Sequence, residues 1–459
     1  MKKGCIFLSA IMALGMLGAC DNGAGGTKTF SNVYFDSATL TYNGNPQTLR
    51  PTGLPEGTTV TYVGEGAYTD AGQYELTVQL SKTGYVSTEL SATLTIAKAL
   101  LKVTANSCAG LYGEDFAPEY TLTGFVGDDT EADIDVLPIF TGTLPTEVGN
   151  YRNVLSFGRA QDNNYEFIYE VGDYAINAYK TYEENGAKYL AFGRYPQTVI
   201  DDETLVEALN DGIERGTVVV DTATGWYEYE GKTYARLTAT PHTYAENYGK
   251  FTNGDDIVSG QTYYFAVEPI VWQVLSDDDG KLFVTTATLL DVQKFHTTIN
   301  NTVQDGATYY ANNWQHSAIR SWLNGEFTTA AFGAPLGGYV ETALVENGAD
   351  VARANDRYTA CADTQDKVFL LSYKDVCSEE YGFDADDGVS ASRAVPVSDY
   401  ARARGAFMPT GESGYWWLRC GSDVVRAVEV VMPDGDARYD YLQVVNESCC
   451  IRPAMYFKG

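Results

Sequence analysis

The segment Glu412–Cys420 (ESGYWWLRC) places three aromatic side chains in a row and a cation directly after them. An exposed indole offers a ligand ring a flat apolar face, whereas a buried indole stabilises a core and needs a partner for its N–H. Because successive side chains of a strand point to opposite faces, Trp416 and Trp417 cannot share one surface. The pattern favours burial of one Trp; the alternative is a sugar-stacking Trp on the exposed face. We expect Arg419 and Arg452 to tie neighbouring strands to carboxylates.

Two acidic turns, Asp277–Asp279 and Asp384–Gly388, carry oxygen atoms that calcium accepts. Neither has the EF-hand loop with its bidentate Glu, so solvated turns are favoured over calcium sites. The histidines, serines and glycines form no metal-ligand spacing, nucleophile elbow or phosphate loop. The sequence predicts no catalytic residue, no metal site and no cofactor, with calcium as the open alternative.

The formal net charge of the chain is −30 at pH 7. A surface of this sign repels nucleic acid and anionic lipid headgroups, so we expect no nucleic-acid partner. Acidity of this degree also keeps an exposed protein soluble. It therefore excludes one class of partner without identifying another.

The first residues predict export. Two lysines precede an apolar run from Cys5 to Leu17, which is shorter than the ~20 residues that span a bilayer and is typical of a signal-peptide core. Gly18 and Ala19 directly before Cys20 resemble the lipobox of bacterial lipoproteins. The resemblance implies cleavage before Cys20 and acylation of this cysteine. An ordinary secretory signal cleaved after Ala19 is the alternative.

These residues predict a signal peptide over residues 1–19 and a flexible tether over residues 20–29. Each buried methylene of an acyl chain contributes about 0.8 kcal/mol, so two or three chains hold a protein on a membrane. We therefore expect an extracytoplasmic protein that a lipid on Cys20 anchors to a bacterial membrane, at the cell surface.

Residues 30–97 and 98–178 carry two successive all-β patterns. Short alternating segments such as Tyr74–Leu80 are separated by Pro, Gly and Asn turns. The segment Thr69–Tyr74 (TDAGQY) is echoed by Thr146–Tyr151 (TEVGNY). This repeat predicts two tandem β modules of Ig-like or β-grasp-like type.

The turns of both modules resemble those of the MBG-type repeats of bacterial surface proteins. The matching stretches are Tyr42–Gly44, Gly53–Gly57, Tyr112–Glu114 and Leu122–Asp128. The resemblance implies stalk or adhesive units. Because these motifs are mainly turn chemistry, they favour a role as spacers.

Helical patterns begin after residue 179 and predict a single α+β domain over residues 179–459. One helix is expected over Asp202–Asn210. A second is expected over Ser317–Asn324, with Ser317 as its N-cap, Asn324–Gly325 as its stop, and one apolar face. That face is predicted to contain Ile319, Trp322, Leu323 and Phe327.

Two strands and a long irregular stretch complete the predicted elements of this domain. Pro269–Leu275 and Lys281–Thr286 flank an acidic turn and predict a hairpin. The polar stretch from Leu336 to Asp366 is predicted to be the least structured part.

Seven ordered blocks in this domain resemble a family common in bacterial surface proteins and lipoproteins, a domain of unknown function of the DUF6273 type. They are Phe192–Gln197, Pro269–Trp272, Trp314 with Ile319–Asn324, Lys367–Ser372, Tyr400–Gly405, Trp416–Arg419 and Arg452–Met455. The Trp-Trp-Leu-Arg strand, the hairpin at Asp434–Gly435 and the final Arg-Pro strand are also similar to the C-type-lectin-like fold shared with formylglycine-generating enzymes. This second likeness implies a lectin-like domain.

The cysteines depart from the family pattern, which favours Ser at the position of Cys420. In an exported protein we expect a disulfide from Cys420 to Cys449 or Cys450, because adjacent cysteines rarely bridge each other without strain. Cys361 and Cys377 are candidates for a second bridge. The enzyme resemblance implies an alternative, a copper site formed by a thiol pair among Cys420, Cys449 and Cys450.

Three functions follow as hypotheses. The leading one is a lipid-anchored surface protein with β spacers and a terminal lectin-like domain that binds a glycan or a host or cell-surface protein, with Trp416 and Trp417 as candidate ligand-binding residues. A structural envelope protein without a ligand is the second. The third is an oxidase-like enzyme that uses thiols and copper.

Overall fold

The computed structural model describes residues 27–114, 116–242, 249–304, 306–353, 361–409 and 411–459. Their contacts form two compact units, each assembled from separate segments of the chain. Unit 1 contains the described residues up to Thr104, with Tyr120–Ile139 and Phe157–Glu170; unit 2 contains Ala105–Glu119, Phe140–Ser156 and Val171–Gly459. The boundary expected between residues 97 and 98 therefore does not coincide with a division between compact units.

The strands before residue 178 are 2 to 10 residues long and close in sequence. They are β1 Ala38–Thr41, β2 Thr59–Tyr62, β3 Gly72–Ser81, β4 Thr88–Ala97, β5 Ala99–Ala105, β6 Cys108–Leu111, β7 Tyr120–Thr123, β8 Ile139–Phe140, β9 Gly149–Leu155, β10 Phe157–Gly158, β11 Tyr165–Glu170 and β12 Gly172–Asn177.

Unit 1 is built from sheets, as its alternating sequence predicts. A four-stranded sheet has the order β1-β4-β3-β2, and a three-stranded sheet has the order β11-β5-β7. In β3 the side chains of Leu76, Val78 and Leu80 are fully buried, while the residues between them lie on the other face. This period of two confirms the strand predicted for Tyr74–Leu80.

The strands after residue 178 include two that are much longer. They are β13 Tyr179–Glu184, β14 Ala187–Val199, β15 Val219–Val220, β16 Tyr227–Tyr229, β17 Lys232–Thr238, β18 Thr262–Asp278, β19 Lys281–Thr286, β20 Asp291–Val292, β21 Thr302–Gln304, β22 Ala307–Tyr309, β23 Val340–Glu341, β24 Ala343–Val345, β25 Thr364–Asp366, β26 Val368–Leu370, β27 Trp416–Gly421, β28 Ala427–Val431, β29 Tyr439–Gln443, β30 Cys450–Ile451 and β31 Pro453–Lys458.

The α-helices among the described residues all lie in unit 2. They are α1 Glu203–Arg215, α2 Ala318–Trp322, α3 Thr328–Leu336, α4 Tyr373–Val376 and α5 Asp399–Ala403, with a π-helical turn at Leu323–Phe327. Short 3-10 turns are Glu131–Asp133 in unit 1 and Trp314–His316, Gly337–Tyr339, Ala349–Val351 and Glu379–Tyr381 in unit 2. Of the helices in the described part of the chain, none combines the length and apolar character needed to cross a membrane.

Unit 2 is organised by one ten-stranded and one five-stranded sheet. In the larger sheet the order is β15-β16-β17-β18-β19-β31-β23, with β14 also paired to β18, β13 to β14, and β26 to β31. The five-stranded sheet has the order β20-β30-β27-β28-β29. The predicted hairpin is confirmed, because β18 and β19 are antiparallel and joined at Asp279 and Gly280, both with positive φ.

The two predicted helices form, but both continue past their predicted C-terminal ends. The first begins where expected, with the Asp202 side chain as its N-cap, but it continues five residues past Asn210 to Arg215. Ser317 caps α2, yet the chain does not stop at Asn324: it passes through the π-helical turn into α3. The Asn324 side chain instead bonds the backbone of Lys367 and Val368, so it joins the helix to β26 and does not cap it.

The stretch predicted to be least structured contains short elements. β23 and β24 lie within residues 336–366, and β24 pairs with β25. Residues 354–360 of this stretch lie outside the described residues. Its polar composition therefore did not reveal the two-strand pairing.

A buried guanidinium fixes the loops beside the five-stranded sheet. Arg393 has 0% of its surface exposed, and its nitrogens donate to five backbone carbonyls. These carbonyls belong to Val376, Asp384, Asp386, Gly388 and Gly435. The acidic turn at Asp384–Gly388 is thus held from inside by a cation.

Replacing this guanidinium should cost stability. An ammonium cannot reach five divergent carbonyls, so Arg393→Lys should lower the free energy of unfolding by roughly 2–4 kcal/mol in urea denaturation. Arg215→Lys is the matched control, because Arg215 is exposed on α1. Equal midpoints for the two variants would contradict the role given to Arg393.

Candidate functional site

The tryptophan pair does not form a ligand-binding surface. Trp416 and Trp417 point to opposite faces of β27, but both are fully buried because this strand is covered on both faces. The indole N–H of Trp416 donates to the carbonyl of Arg393 at 3.2 Å, and that of Trp417 to the carbonyl of Gln293 at 2.7 Å. The alternative of a sugar-stacking Trp on an exposed face is therefore wrong, and both residues belong to the core.

The two arginines predicted to tie strands to carboxylates differ. Arg419 donates to the Asp375 carboxylate at 2.7 Å, as expected. Arg452 instead donates to the backbone carbonyl of Thr286 and the side-chain oxygen of Gln273, and its guanidinium lies 5.0 Å from the ring centre of Trp416. The partners of Arg452 are therefore neutral oxygens and an aromatic ring, and the prediction that Arg452 binds a carboxylate is wrong.

The predicted disulfides are not present, since the described cysteines are free thiols. Trp416 pairs with Cys450, and Cys420 lies four residues further along β27, which places it about 13 Å from that level. A disulfide needs Cα atoms within about 7 Å. Cys420 therefore reaches neither Cys450 nor the adjacent Cys449, so it forms no thiol pair with either of them.

The other two cysteines also lie in different surroundings. The Cys361 thiol is beside the backbone of Trp314 and Gln315, whereas the Cys377 thiol is beside the Tyr373 hydroxyl and near Arg393. Burial raises the pKa of both thiols. Neither the expected second bridge nor an activated thiolate is found at these positions.

The acidic turns are occupied by protein partners. Asp277 forms an ion pair with Lys188 at 2.6 Å and accepts from the backbone N–H of Gly280. Asp387 accepts from the side chains of Arg353 and Tyr373. Within the described residues, no group of three or more His, Cys, Asp or Glu side chains is arranged to hold a metal ion.

A cleft of about 1050 Å³ in unit 2 collects the side chains best suited to binding. Its walls come from α2 with the following π-helical turn, from the chain after β20, and from the end of α5. Among its lining residues are one aromatic platform, Trp322, and four charged groups. The charged residues are Lys294, Glu326, Arg404 and Glu447.

The helix that carries Trp322 is fixed from its other side. Arg320 donates to the buried Asp366 carboxylate at 2.7 Å, and Asp366 also accepts from the indole N–H of Trp314. Asn324 adds its bonds to the start of β26. These contacts hold α2 in place, while Trp322 remains partly exposed at the cleft.

Arg404 is held by a buried carboxylate. Its Nε lies 3.0 Å from Oδ1 of Asp291, a residue of β20 with no exposed surface. Asp291 also accepts the Tyr195 hydroxyl at 2.8 Å, and the guanidinium lies over the Tyr400 ring. The Nη2 of Arg404 makes no hydrogen bond to the described residues, and Arg404 lines the cleft.

The pKa shifts of Asp291, Arg404 and Tyr195 follow from their burial and from their contacts with one another. Burial raises the pKa of Asp291, against the opposing effect of Arg404. Asp291 in turn raises the pKa of Arg404 above its usual value, and burial raises the pKa of Tyr195 well above its usual value. Arg404 therefore remains a cation, and Tyr195 remains a neutral donor to Asp291.

Sequence reasoning missed this site. Trp322 packs against the core beside Phe327, as predicted for its helix face, but it lies at the edge of that face, about 100° from the mean direction of Ile319, Leu323 and Phe327 on an ideal helical wheel. That phase difference was the available signal. Arg404 lies in one of the family-like blocks, but nothing in the sequence indicates its pairing with Asp291, since 113 positions separate them.

Two smaller pockets offer less. One, of about 350 Å³, is lined by acidic side chains including Asp201, Glu203 and Asp255. The other, of about 340 Å³, is lined by aromatic and small polar side chains including Tyr439, and none of its lining residues is Asp, Glu, Lys or Arg. Of these three pockets in the described part of the chain, the larger cleft is the one that combines a partly exposed Trp with positively and negatively charged side chains.

Comparison with protein families identifies two parts of the chain. Residues 279–459 match the family described as Domain of unknown function (DUF6273), and residues 101–175 match the MBG domain (YGX type). These matches confirm the two domain types expected from the motifs. Residues 30–97 and 179–278 lie outside the matched ranges. A comparison with curated proteins finds no match.

Substitution of the buried indoles should affect folding. Trp416→Phe and Trp417→Phe each remove a ring and the donor to a buried carbonyl, so each should lower the free energy of unfolding by about 2–3 kcal/mol. Trp322→Phe is the control and should cost less than about 1 kcal/mol, because Trp322 is partly exposed. Chemical denaturation followed by far-UV circular dichroism measures all three; unchanged stability in the first two would contradict the burial.

Proposed function

We propose that the chain is a lipid-anchored protein of a bacterial surface whose C-terminal domain, residues 179–459, binds a glycan or a protein ligand. The β modules before it act as spacers, and the lipid on Cys20 attaches the chain to the membrane. A C-type-lectin-like fold of the binding domain is part of this proposal. Its support is the order of the Trp-Trp-Leu-Arg strand, the Asp-Gly hairpin and the final Arg-Pro strand.

The cleft beside Trp322 is the observation that carries this proposal. Ligand sites combine an apolar or aromatic wall with a few fixed polar groups, and their volumes reach roughly 1000 Å³. The cleft has this volume and composition, with Trp322 as the wall and Arg404 as a donor held by Asp291. Side chains that are held before binding lose little freedom when a ligand arrives.

The proposed attachment rests on the first residues of the sequence. Cys20 and the rest of residues 1–26 lie outside the described residues. The support is the short apolar run and the small residues before Cys20, together with the MBG match in residues 101–175, a repeat type expected in a spacer.

The alternatives differ in what they leave unexplained. If the protein were a purely structural envelope component, the cleft would have no ligand and its composition would be unexplained. The oxidase-like alternative needs reactive thiolates, but burial raises the pKa of the Cys420, Cys449 and Cys450 thiols, and Cys420 lies apart from the other two. Thiolates bind copper, so these positions favour the binding function over oxidation.

Removal of the aromatic wall should remove binding. The mature chain, extracted in detergent, would be applied to an array of glycans and host glycoproteins, with calcium and again with a chelator. Trp322→Ala should weaken a saturable signal at least about tenfold, since an aromatic anchor at the centre of a site carries much of the affinity. A signal that is the same with calcium and with the chelator would identify the acidic turns as solvated loops.

Tyr182→Ala is the matched control for this array. Tyr182 is a partly exposed aromatic residue on β13 and does not line the cleft. Its loss should leave the signal unchanged. Equal losses in both variants, or binding that survives in Trp322→Ala, would place the ligand elsewhere, and a blank array with folded protein would favour the structural alternative.

The lipid anchor has a separate test. Growth with radioactive palmitate should label the wild-type chain, and Cys20→Ala should abolish this label because it removes the sulfur that carries the diacylglycerol. Cys108→Ala should retain it, since Cys108 is an exposed thiol far along the chain. A label that persists in Cys20→Ala would refute the lipobox assignment.

A further inference from the structure

The charges at the cleft are almost all matched within the protein. Lys294 pairs with Glu447 at 2.6 Å, and Arg404 pairs with Asp291 at 3.0 Å. Among the charged lining residues, Glu326 has no hydrogen bond or ion pair to any described residue, and its side chain is exposed. The unmatched charge at the cleft is therefore negative.

The polar groups that line the cleft with Trp322 include both a donor and an acceptor. Glu326 follows Trp322 by four positions in continuous helix, so both residues lie on the same side of it. Arg404 contributes the Nη2 that bonds no described residue. Sugar hydroxyls both donate and accept hydrogen bonds, and the C–H face of a sugar ring can pack on an indole.

We infer that the cleft binds an uncharged, hydroxyl-bearing sugar ring and discriminates against acidic sugars. This inference rests on the proposed binding function. Trp322 packs against the ring, Arg404 donates to ring or hydroxyl oxygens, and Glu326 accepts from a hydroxyl. A sugar carboxylate meets the unmatched charge of Glu326, while the charge of Arg404 is already balanced by Asp291.

The test uses sugars that differ only at one carbon. Carrier proteins bearing glucose or glucuronic acid, and galactose or galacturonic acid, would be titrated against the mature chain in detergent by biolayer interferometry. Within the sugar pair that binds, the neutral sugar should bind at least about threefold more tightly than its uronic acid, the effect expected of one like charge across a solvated site. The ratio of the two affinities is the measured quantity. Glu326→Gln should bring the ratio close to one.

Glu214→Gln is the matched control. Glu214 is an exposed acid on α1, so this variant lowers the overall negative charge without changing the cleft. It should leave the ratio as in the wild type. Tighter or equal binding of the uronates, or a ratio that Glu326→Gln does not change, would overturn the inference.

The same measurements separate this inference from the proposed function. If no neutral glycan on the array binds while an acidic glycan or a deglycosylated protein does, and Trp322→Ala removes that binding, the inference falls and the binding function stands. If the folded chain binds no probe at all, both fall.

Discussion

The need to surround buried guanidinium groups with hydrogen-bond acceptors governs the C-terminal part of this protein. Arg393, Arg419 and Arg452 are all nearly or fully buried. Each would be very costly inside an apolar core without partners. Backbone carbonyls supply most of the acceptors, and the loops that carry them are held in place as a result. The buried cations thus determine where the irregular segments run.

This constraint also explains the position of the tryptophan pair. The backbone carbonyl of Arg393 accepts the Trp416 indole, and Arg452 lies over the same ring. On the other face, Trp417 contacts Phe295 and bonds Gln293. A strand with such partners on both faces has no surface left for a ligand, so recognition must use residues outside the central strands.

The cleft satisfies that requirement with side chains held from behind. Arg320, on the helix that carries Trp322, forms an ion pair with Asp366. Arg404 forms an ion pair with Asp291. In both cases a carboxylate with no exposed surface fixes an arginine that is partly exposed. Since each buried carboxylate is paired with an arginine, these ion pairs hold Trp322 and Arg404 in fixed orientations at the cleft without leaving an isolated buried charge.

Local chemistry was enough to determine the period-two strand of Tyr74–Leu80, the Ser317 cap of α2 and the turn between β18 and β19, because each depends on neighbours within a few residues. The sequence by itself also determined the two domain types, through motifs in fixed order. Only the tertiary structure decided that the tryptophan pair is buried and that Trp322 borders the cleft. Those outcomes depend on which surfaces distant segments cover, and the pairing of Asp291 with Arg404 across 113 positions leaves no periodic signal in the sequence.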